Sequence, residues 1–349
     1  MSSTRSRARS RERRSAFWHR PAVAVLGAAI WLIGALPPRF AYLISDLLAV
    51  PWYLYWRCHD LRGGRSKGYW RNTAIAFRAG SPLGPTRPRR HLWRWSQHIA
   101  RLVADFCLMR RIDKANLERH IDLGEYGRIA EVFARGKGMI CATGHIGVWD
   151  VSGVGAGLRD LPLTSVFRPS PIPALDGLIA RLRTRTGQNV VARKRVMWTL
   201  KKVLAERGAI GLLCDGGGKH SSVVAPFLGT PARTVATPAL LHLMTGAPIV
   251  VVTTHRTGCM RYRLRVHDVI SSPPTGDREH DLVAITTRIN AGLSRAIAET
   301  PEQWFWQSRR FRHRPPGEIP GPDGLPPQAI ADAVSLSPST ITDDKVPDP

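Results

Sequence analysis

Met139-Ile140-Cys141-Ala142-Thr143-Gly144-His145-Ile146-Gly147-Val148-Trp149-Asp150 is the stretch from which the fold is read. Its first four residues are an apolar run that enters a glycine-containing turn, the pattern of a buried strand. Val151 to Leu158, small and apolar, follows as a helix candidate. Strand, turn and helix in that order make one unit of an α/β fold. The same unit also sets a His at the mouth of a strand, with an Asp five residues on.

The alternation continues outward. Leu163 to Phe167 reads as a strand, Ala174 to Gly187 as a helix, Asn189 to Val191 as a short strand, Met197 to Arg207 as a helix and Ala209 to Cys214 as a buried strand. Further on come a helix at Thr237 to Thr245, strands at Ala247 to Thr254 and Arg261 to His267, and a long helix at His280 to Glu299. Upstream, His91 to Met109 has the apolar spacing of an amphipathic helix, and Tyr126 to Arg135 reads as another. Leu61 to Arg90 mixes basic residues with Gly and Pro, with a loop at Gly80 to Pro85. This order predicts an α/β fold, a sheet with helices on its faces.

The chain has 349 residues and is 43% hydrophobic, enough for one large domain or two small ones. Its 51 basic residues against 26 acidic give a formal charge of +25, which calls for an anionic partner: nucleic acid, an anionic membrane or acidic substrates. Eleven Trp, many beside Arg, suit a membrane interface. The five Cys occur singly, which argues against a zinc ribbon or a disulfide framework, and no metal site is expected.

Residues 1–16 are expected to be a basic, disordered arm. Residues 17–60 carry two apolar stretches, Ala22 to Leu36 and Phe40 to Trp56. The first is short of the roughly 20 residues of a full span. A second apolar stretch and the lack of a small-residue cleavage site argue against a signal peptide. The segment reads as a hydrophobic helical anchor that enters or lies on the inner leaflet, with the arm on the cytoplasmic side. Residues 61–317 form the catalytic domain in this reading. Residues 318–349, rich in Pro, Ser and Asp, form a disordered tail.

His145 and Asp150 form the first candidate pair. On an ideal helix five residues leave them roughly 140° apart. They can meet only if His145 lies in the turn and folds back onto the helix that carries Asp150. A carboxylate could then hold one ring nitrogen and leave the other as a base. The alternative is a turn-capping His beside a solvated Asp. Gly144 and Gly147 allow a substrate to approach closely. Arg168, just past a strand end, could fork onto a phosphate or steady a tetrahedral intermediate, or be one surface Arg among many. Asp215-Gly216-Gly217-Gly218-Lys219 follows another strand. It is no phosphate-binding Walker loop, because Gly217 stands where Lys is required. Lys219 adds charge near an anion, and Asp215 could contact substrate, orient the Arg or simply form a turn. Val224 to Arg233 reads as a hairpin or loop edging a groove. Pro301 to Arg312 alternates aromatic and basic residues, which could stack bases or rest at lipid headgroups.

Taken together, these blocks resemble the bacterial lipid A biosynthesis acyltransferase family, within the lysophospholipid acyltransferase superfamily. The resemblance runs from Trp18 to Pro316. It rests on His145-x-x-x-x-Asp150, Phe167-Arg168-Pro169, Asp215-Gly216-Gly217-Gly218, Pro226-Phe227-Leu228-Gly229-Thr230-Pro231 and Pro301-Glu302-Gln303-Trp304-x-Trp306. It implies a central mixed β-sheet flanked by helices and an enzyme on the cytoplasmic face of the inner membrane. Such an enzyme transfers a fatty acyl chain from acyl carrier protein or a coenzyme A thioester to a hydroxyl of a membrane glycolipid. No metal or other cofactor is implied. The resemblance assigns His145 as general base and Asp150 as its partner. The loops carrying Arg168 and Asp215 border the acceptor in the same reading, and Gly144, Lys219 and Arg233 join them as substrate-binding candidates. Many lipid A members have Glu where this chain has Asp150, and the Asp form also resembles phosphatidylinositol mannoside acyltransferases, a second acceptor class. The membrane explains the charge, so no nucleic-acid partner is expected.

Overall fold

Five parallel strands run through the centre of the protein, and the helices are arranged on their two faces. The structure is a computed structural model that describes residues 24–61, 68–170, 173–193, 196–218, 221–315, 317–321 and 324–328. The arm at 1–16, Lys219 and most of the tail lie outside these residues.

Helix α1 (24–35) leads into α2 (Pro38–Leu61), α3 (Tyr69–Ala76), α4 (Pro88–Leu108) and the short α5 (Leu117–His120). Then follow β1 (Ile121–Asp122), α6 (Tyr126–Ala134), β2 (Met139–Thr143), α7 (Trp149–Leu158), β3 (Leu163–Phe167), α8 (Pro173–Thr184) and β4 (Asn189–Ala192). The rest is α9 (Val196–Ala205), β5 (Ala209–Leu213), β6 (Ser222–Phe227), β7 (Thr230–Val235), α10 (Thr237–Thr245), β8 (Ile249–Gly258), β9 (Arg261–Ile270) and α11 (Arg278–Glu299). Seven strands form one sheet in the order β1-β9-β8-β2-β5-β3-β4, and β6 and β7 form a separate antiparallel pair. Strands β8, β2, β5, β3 and β4 are parallel. Strand β9 runs antiparallel to β8, and β1 follows β9. The sheet is therefore mixed, as expected.

Burial explains the sequence patterns. Strand β2 is covered on both faces, so it reads as a continuous apolar run. Ile140 and Ala142 pack in one core with Leu200, Leu212, Ile249 and Leu293. Met139 and Cys141 face the other side, against Ile129, Val132 and Val250. Strand β9 alternates because one face is solvated. Helix α11 starts at Asp277, whose carboxylate accepts the backbone N–H groups of Glu279 and His280.

The N-terminal helices are part of this body. Ala41 and Tyr42 of α2 and Ala104 and Leu108 of α4 share a core with Val151 and Val154 of α7 and Tyr262 of β9. At its centre the fully buried Asp105 accepts from Tyr262 Oη (2.7 Å), Arg256 Nε (2.7 Å) and Tyr42 Oη. Arg256 also donates to His98 Nδ1 at 2.9 Å. Among the described residues no helix is long and apolar enough to cross a membrane. The described part of the segment expected to be an anchor forms α1 and α2, with Phe40, Leu43, Leu47, Leu48, Leu54 and Tyr55 of α2 exposed. At the other terminus, the stretch expected to be tail begins with a docked segment. Arg78 and Gln328 tie it to the end of α3, through Pro326 O (2.5 Å) and Ala79 O (2.6 Å), and Leu325 packs on the core.

Candidate active site

Two loops leave the carboxyl ends of neighbouring strands β2 and β5. The strands pair in register to Thr143 and Leu213, and the Cys214 N–H donates to Thr143 O at 2.7 Å. The chain leaving β2 runs toward β3, whereas the chain leaving β5 crosses to β8. Such a parting of connections opens a crevice above the strand ends, where open α/β sheets bind ligands. His145 stands on one lip and Asp215 on the other.

Asp215 receives three donors. His145 Nδ1 lies 2.8 Å from Oδ1, the His145 backbone N–H donates to Oδ2 at 3.0 Å, and Trp304 Nε1–H donates to Oδ2 at 2.8 Å. The carboxyl is 1% exposed. Burial pushes its pKa up, but the His145 charge and hydrogen bonds and the Trp304 donor outweigh burial and hold it below the usual carboxylate range. The opposite balance holds for His145. Burial pulls the ring down, while the charge and hydrogen bond of Asp215, and then the charge of Asp150, leave it above the ordinary imidazole value. An ionised Asp215 can only accept, so Nδ1 carries the proton and the neutral ring presents a bare Nε2. Nε2 has no hydrogen-bond partner among the described residues, and about a third of the side chain is open to the crevice.

The turn that carries His145 is held by close backbone approach. Gly147 has φ +61°, and a Cβ there would lie 2.1 Å from Thr254 O. Its N–H donates to Gln303 O at 2.8 Å, and Val148 N–H donates to Thr254 O at 2.7 Å. His145 O accepts from Phe305 N–H at 2.9 Å. The Gln303 carboxamide brackets the Arg256 backbone, accepting its N–H and donating to its O at 2.9 Å each. Trp149 and Phe305 flank the imidazole, with ring centroids 5.2 and 5.8 Å away.

His145 borders a cleft of about 680 Å³ whose walls include Trp149, Phe167, Arg168, Arg183, Arg193 and Leu213. Trp149, Val166, Arg183 and Leu213 also line a smaller cavity of about 100 Å³ between α7 and the sheet. That cavity is also lined by Ile129, Cys141, Leu161, Leu163 and Leu264, with Ser152, Ser165 and Gln188 among its polar groups. The basic cleft that His145 lines thus shares walls with a mainly apolar pocket. Among the described residues no three His, Cys, Asp or Glu side chains converge as a metal site would require.

The structure brings some of the expected site residues together and separates others. His145 does lie outside the helix, which starts at Trp149, but its carboxylate partner is Asp215. Asp150 points along α7 to Arg183, whose Nε is 2.7 Å from its Oδ1. The reason is angular: Asp150 sits in the first turn of α7 facing α8, whereas Asp215 arrives from the adjacent strand directly beneath the ring. Gly144 makes room for Asp215 rather than for substrate, since a Cβ there would stand 3.2 Å from the Asp215 Cβ and Cγ. Arg168 is exposed on the cleft wall. Arg233 lies on the β6–β7 hairpin, where its Nε donates to Ser222 Oγ at 3.2 Å, and it is not among the residues lining the cleft. The aromatic and basic stretch near the C-terminus is core rather than a headgroup or base platform. Trp304, Trp306, Arg310 and Phe311 are all buried. Arg310 donates to Arg233 O (2.7 Å) and Thr234 Oγ1 (2.6 Å) and stacks over Phe227, and burial lowers its pKa to about 10. Sequence reasoning missed Trp304 and Arg183 as site residues. The alternation Trp304 in, Phe305 out, Trp306 in was the available signal for an extended segment beside the turn.

The chain belongs to the bacterial lipid A biosynthesis acyltransferases, whose family model matches residues 14–313. It is similar to the lipid A biosynthesis lauroyltransferase of Escherichia coli K12, with 26% identity over 193 residues, 54% of this chain and 61% of that protein. It is also similar to the palmitoleoyltransferase of the same organism, with 25% identity over 169 residues, 45% and 50% of the two chains. A lipid A biosynthesis acyltransferase of Haemophilus influenzae is 26% identical over 212 residues, 59% and 63%. The matched regions therefore span between half and about three-fifths of these relatives.

Proposed function

We propose that this protein is an O-acyltransferase that moves a fatty acyl chain from a thioester, carried by acyl carrier protein or coenzyme A, to a hydroxyl of a membrane glycolipid of the lipid A precursor type. The observation that carries this reading is the bare Nε2 of His145, backed by a buried Asp215, in a basic cleft that shares walls with a mainly apolar pocket. His145 Nε2 takes the acceptor hydroxyl proton as that oxygen attacks the thioester carbonyl. The tetrahedral intermediate collapses with cleavage of the C–S bond, and the imidazolium returns the proton to the departing thiolate. An ester and a free thiol result, and the acyl thioester is a co-substrate rather than a resident cofactor. Arg168 and Arg193 supply positive charge to the phosphorylated part of the acceptor or carrier, and the apolar pocket seats the near part of the chain. The exposed apolar stripe of α2 lies against the cytoplasmic face of the inner membrane. The chain's formal charge of +25 suits anionic lipid.

The test is transfer of radiolabelled lauroyl from its coenzyme A and carrier-protein thioesters to lipid in membranes containing the full chain. His145→Ala is expected to lose roughly 10²- to 10⁴-fold in rate. A folded variant with full activity would end the proposal. Mass spectrometry of the labelled lipid separates a lipid A precursor from an inositol mannoside acceptor.

A further inference from the structure

Trp304 does more than fill the core. Its indole is fully buried, and its N–H is spent on Asp215 Oδ2, the same oxygen that accepts the His145 backbone N–H. A buried indole N–H needs an acceptor, and a neutral backbone carbonyl would serve, as Pro301 O does for Trp306 at 2.6 Å. Here the acceptor is the carboxylate that holds the imidazole. The residues on either side fix the indole in place: Gln303 is locked to Gly147 and Arg256, and Phe305 N–H is bonded to His145 O.

We infer that Trp304 is a positioning residue for acyl transfer: its N–H holds Asp215 so that Oδ1 faces Nδ1 and the carboxylate's charge is shared between indole and imidazole. This deepens the reading of His145 as base and rests on it. The charged and titratable groups around the pair are few. Asp215 faces His145, Trp304 N–H and the charge of Arg310, with the thiol of Cys214 next to it in the chain. His145 faces Asp215 and Asp150, and Asp150 is paired with Arg183. Removing the indole N–H leaves more of the Asp215 charge to bear on His145, so the ring holds its proton to higher pH and the oriented base is lost.

The experiment is a histidine-NMR titration of the full-length protein in detergent, with the His145 signal identified by its loss in His145→Gln. Wild type, Trp304→Phe and Asp215→Asn are compared, alongside kcat and KM for lauroyl-coenzyme A. Trp304→Phe is expected to move the His145 midpoint up by about half a pH unit or more, and Asp215→Asn to move it down. Trp304→Phe should lower kcat roughly 10- to 100-fold with KM nearly unchanged. Trp304→His, which restores a ring N–H, should recover part of the loss. An activity loss with an unmoved midpoint would make Trp304 merely structural and overturn the inference. An unchanged profile in Trp304→Phe, with His145→Ala inactive, overturns it while leaving the acyltransferase reading intact. Full activity in His145→Ala ends both. If Trp304→Phe does not fold, the wild-type indole N–H signal of Trp304 decides. It should shift with the His145 midpoint, and a flat response through that midpoint refutes the inference.

Discussion

At the scale of single residues, the site is a contest between burial and charge. Asp215 is almost wholly buried, which alone would neutralise it. Three donors in fixed positions reverse that outcome, and the ionised carboxylate in turn lifts His145 above its ordinary value. The sign for catalysis follows. A general base must be unprotonated, so the rate should rise with pH through the raised His145 pKa and level off above it. Gly147 shows the same economy in the backbone. Gly147→Ala puts a Cβ 2.1 Å from Thr254 O at positive φ, so a loss of about 3 kcal/mol or more is expected, read as a lowered unfolding midpoint in denaturant. At this scale the sequence was partly legible. His145 could be placed in a turn because Gly144 and Gly147 surround it. Its partner could not be chosen, because Asp150 is close in sequence whereas Asp215 is close only through the β2–β5 register.

Among the elements, the parallel strands were the most legible. A strand buried on both faces reads as an apolar run, and β2, β5 and the first four residues of β8 (249–252) are such runs. The hairpin β6–β7 and the last helix were legible too. Helix α3 was not: Tyr69 to Ala76 is eight residues between glycine-rich and basic stretches, too short to show a period, and its tertiary contacts hold it in place. Asn72, for example, donates to Trp306 O and Ser308 O at 2.7 Å each. The join between α2, α4 and the sheet was equally hidden, because it depends on one acidic residue. Asp105 meets Arg256, Tyr42 and Tyr262 with almost no exposure of its own. Removing one partner of a buried pair strands the others, so Asp105→Ala should cost about 3–5 kcal/mol in chemical denaturation. A loss below about 1 kcal/mol would mean that this network does not dock the helices. Asp277→Ala at the start of α11 should cost only about 1 kcal/mol and leave acyl transfer unchanged, since it removes a cap far from the cleft.

For the molecule as a whole, composition pointed to an anionic partner but not to how it is met. The structure separates two contributions. Helix α2 exposes eight large apolar side chains, each worth about 1.5–3 kcal/mol if fully buried, while each basic residue near an anionic surface adds about 1 kcal/mol that salt screens. The apolar term should therefore dominate. The full chain is expected to float with phosphatidylglycerol-containing vesicles even at about 1 M salt. Leu47→Glu with Leu48→Glu should abolish that flotation. Release by salt alone, with the double variant still bound at low salt, would make charge the anchor.

The central claim is that His145 is the base and Asp215, rather than Asp150, is its partner. The measurement that tests it most directly is the pH profile of acyl-transfer kcat/KM for wild type, Asp215→Asn and Asp150→Asn in the full-length protein. Asp215→Asn should lose about 100-fold or more, and its acidic limb should move to lower pH because the ring loses the carboxylate that raised it. Asp150→Asn should keep most of the activity and shift the limb only slightly in the same direction. If Asp150→Asn is the crippled variant and Asp215→Asn transfers acyl chains at the wild-type rate with an unmoved limb, the account is wrong.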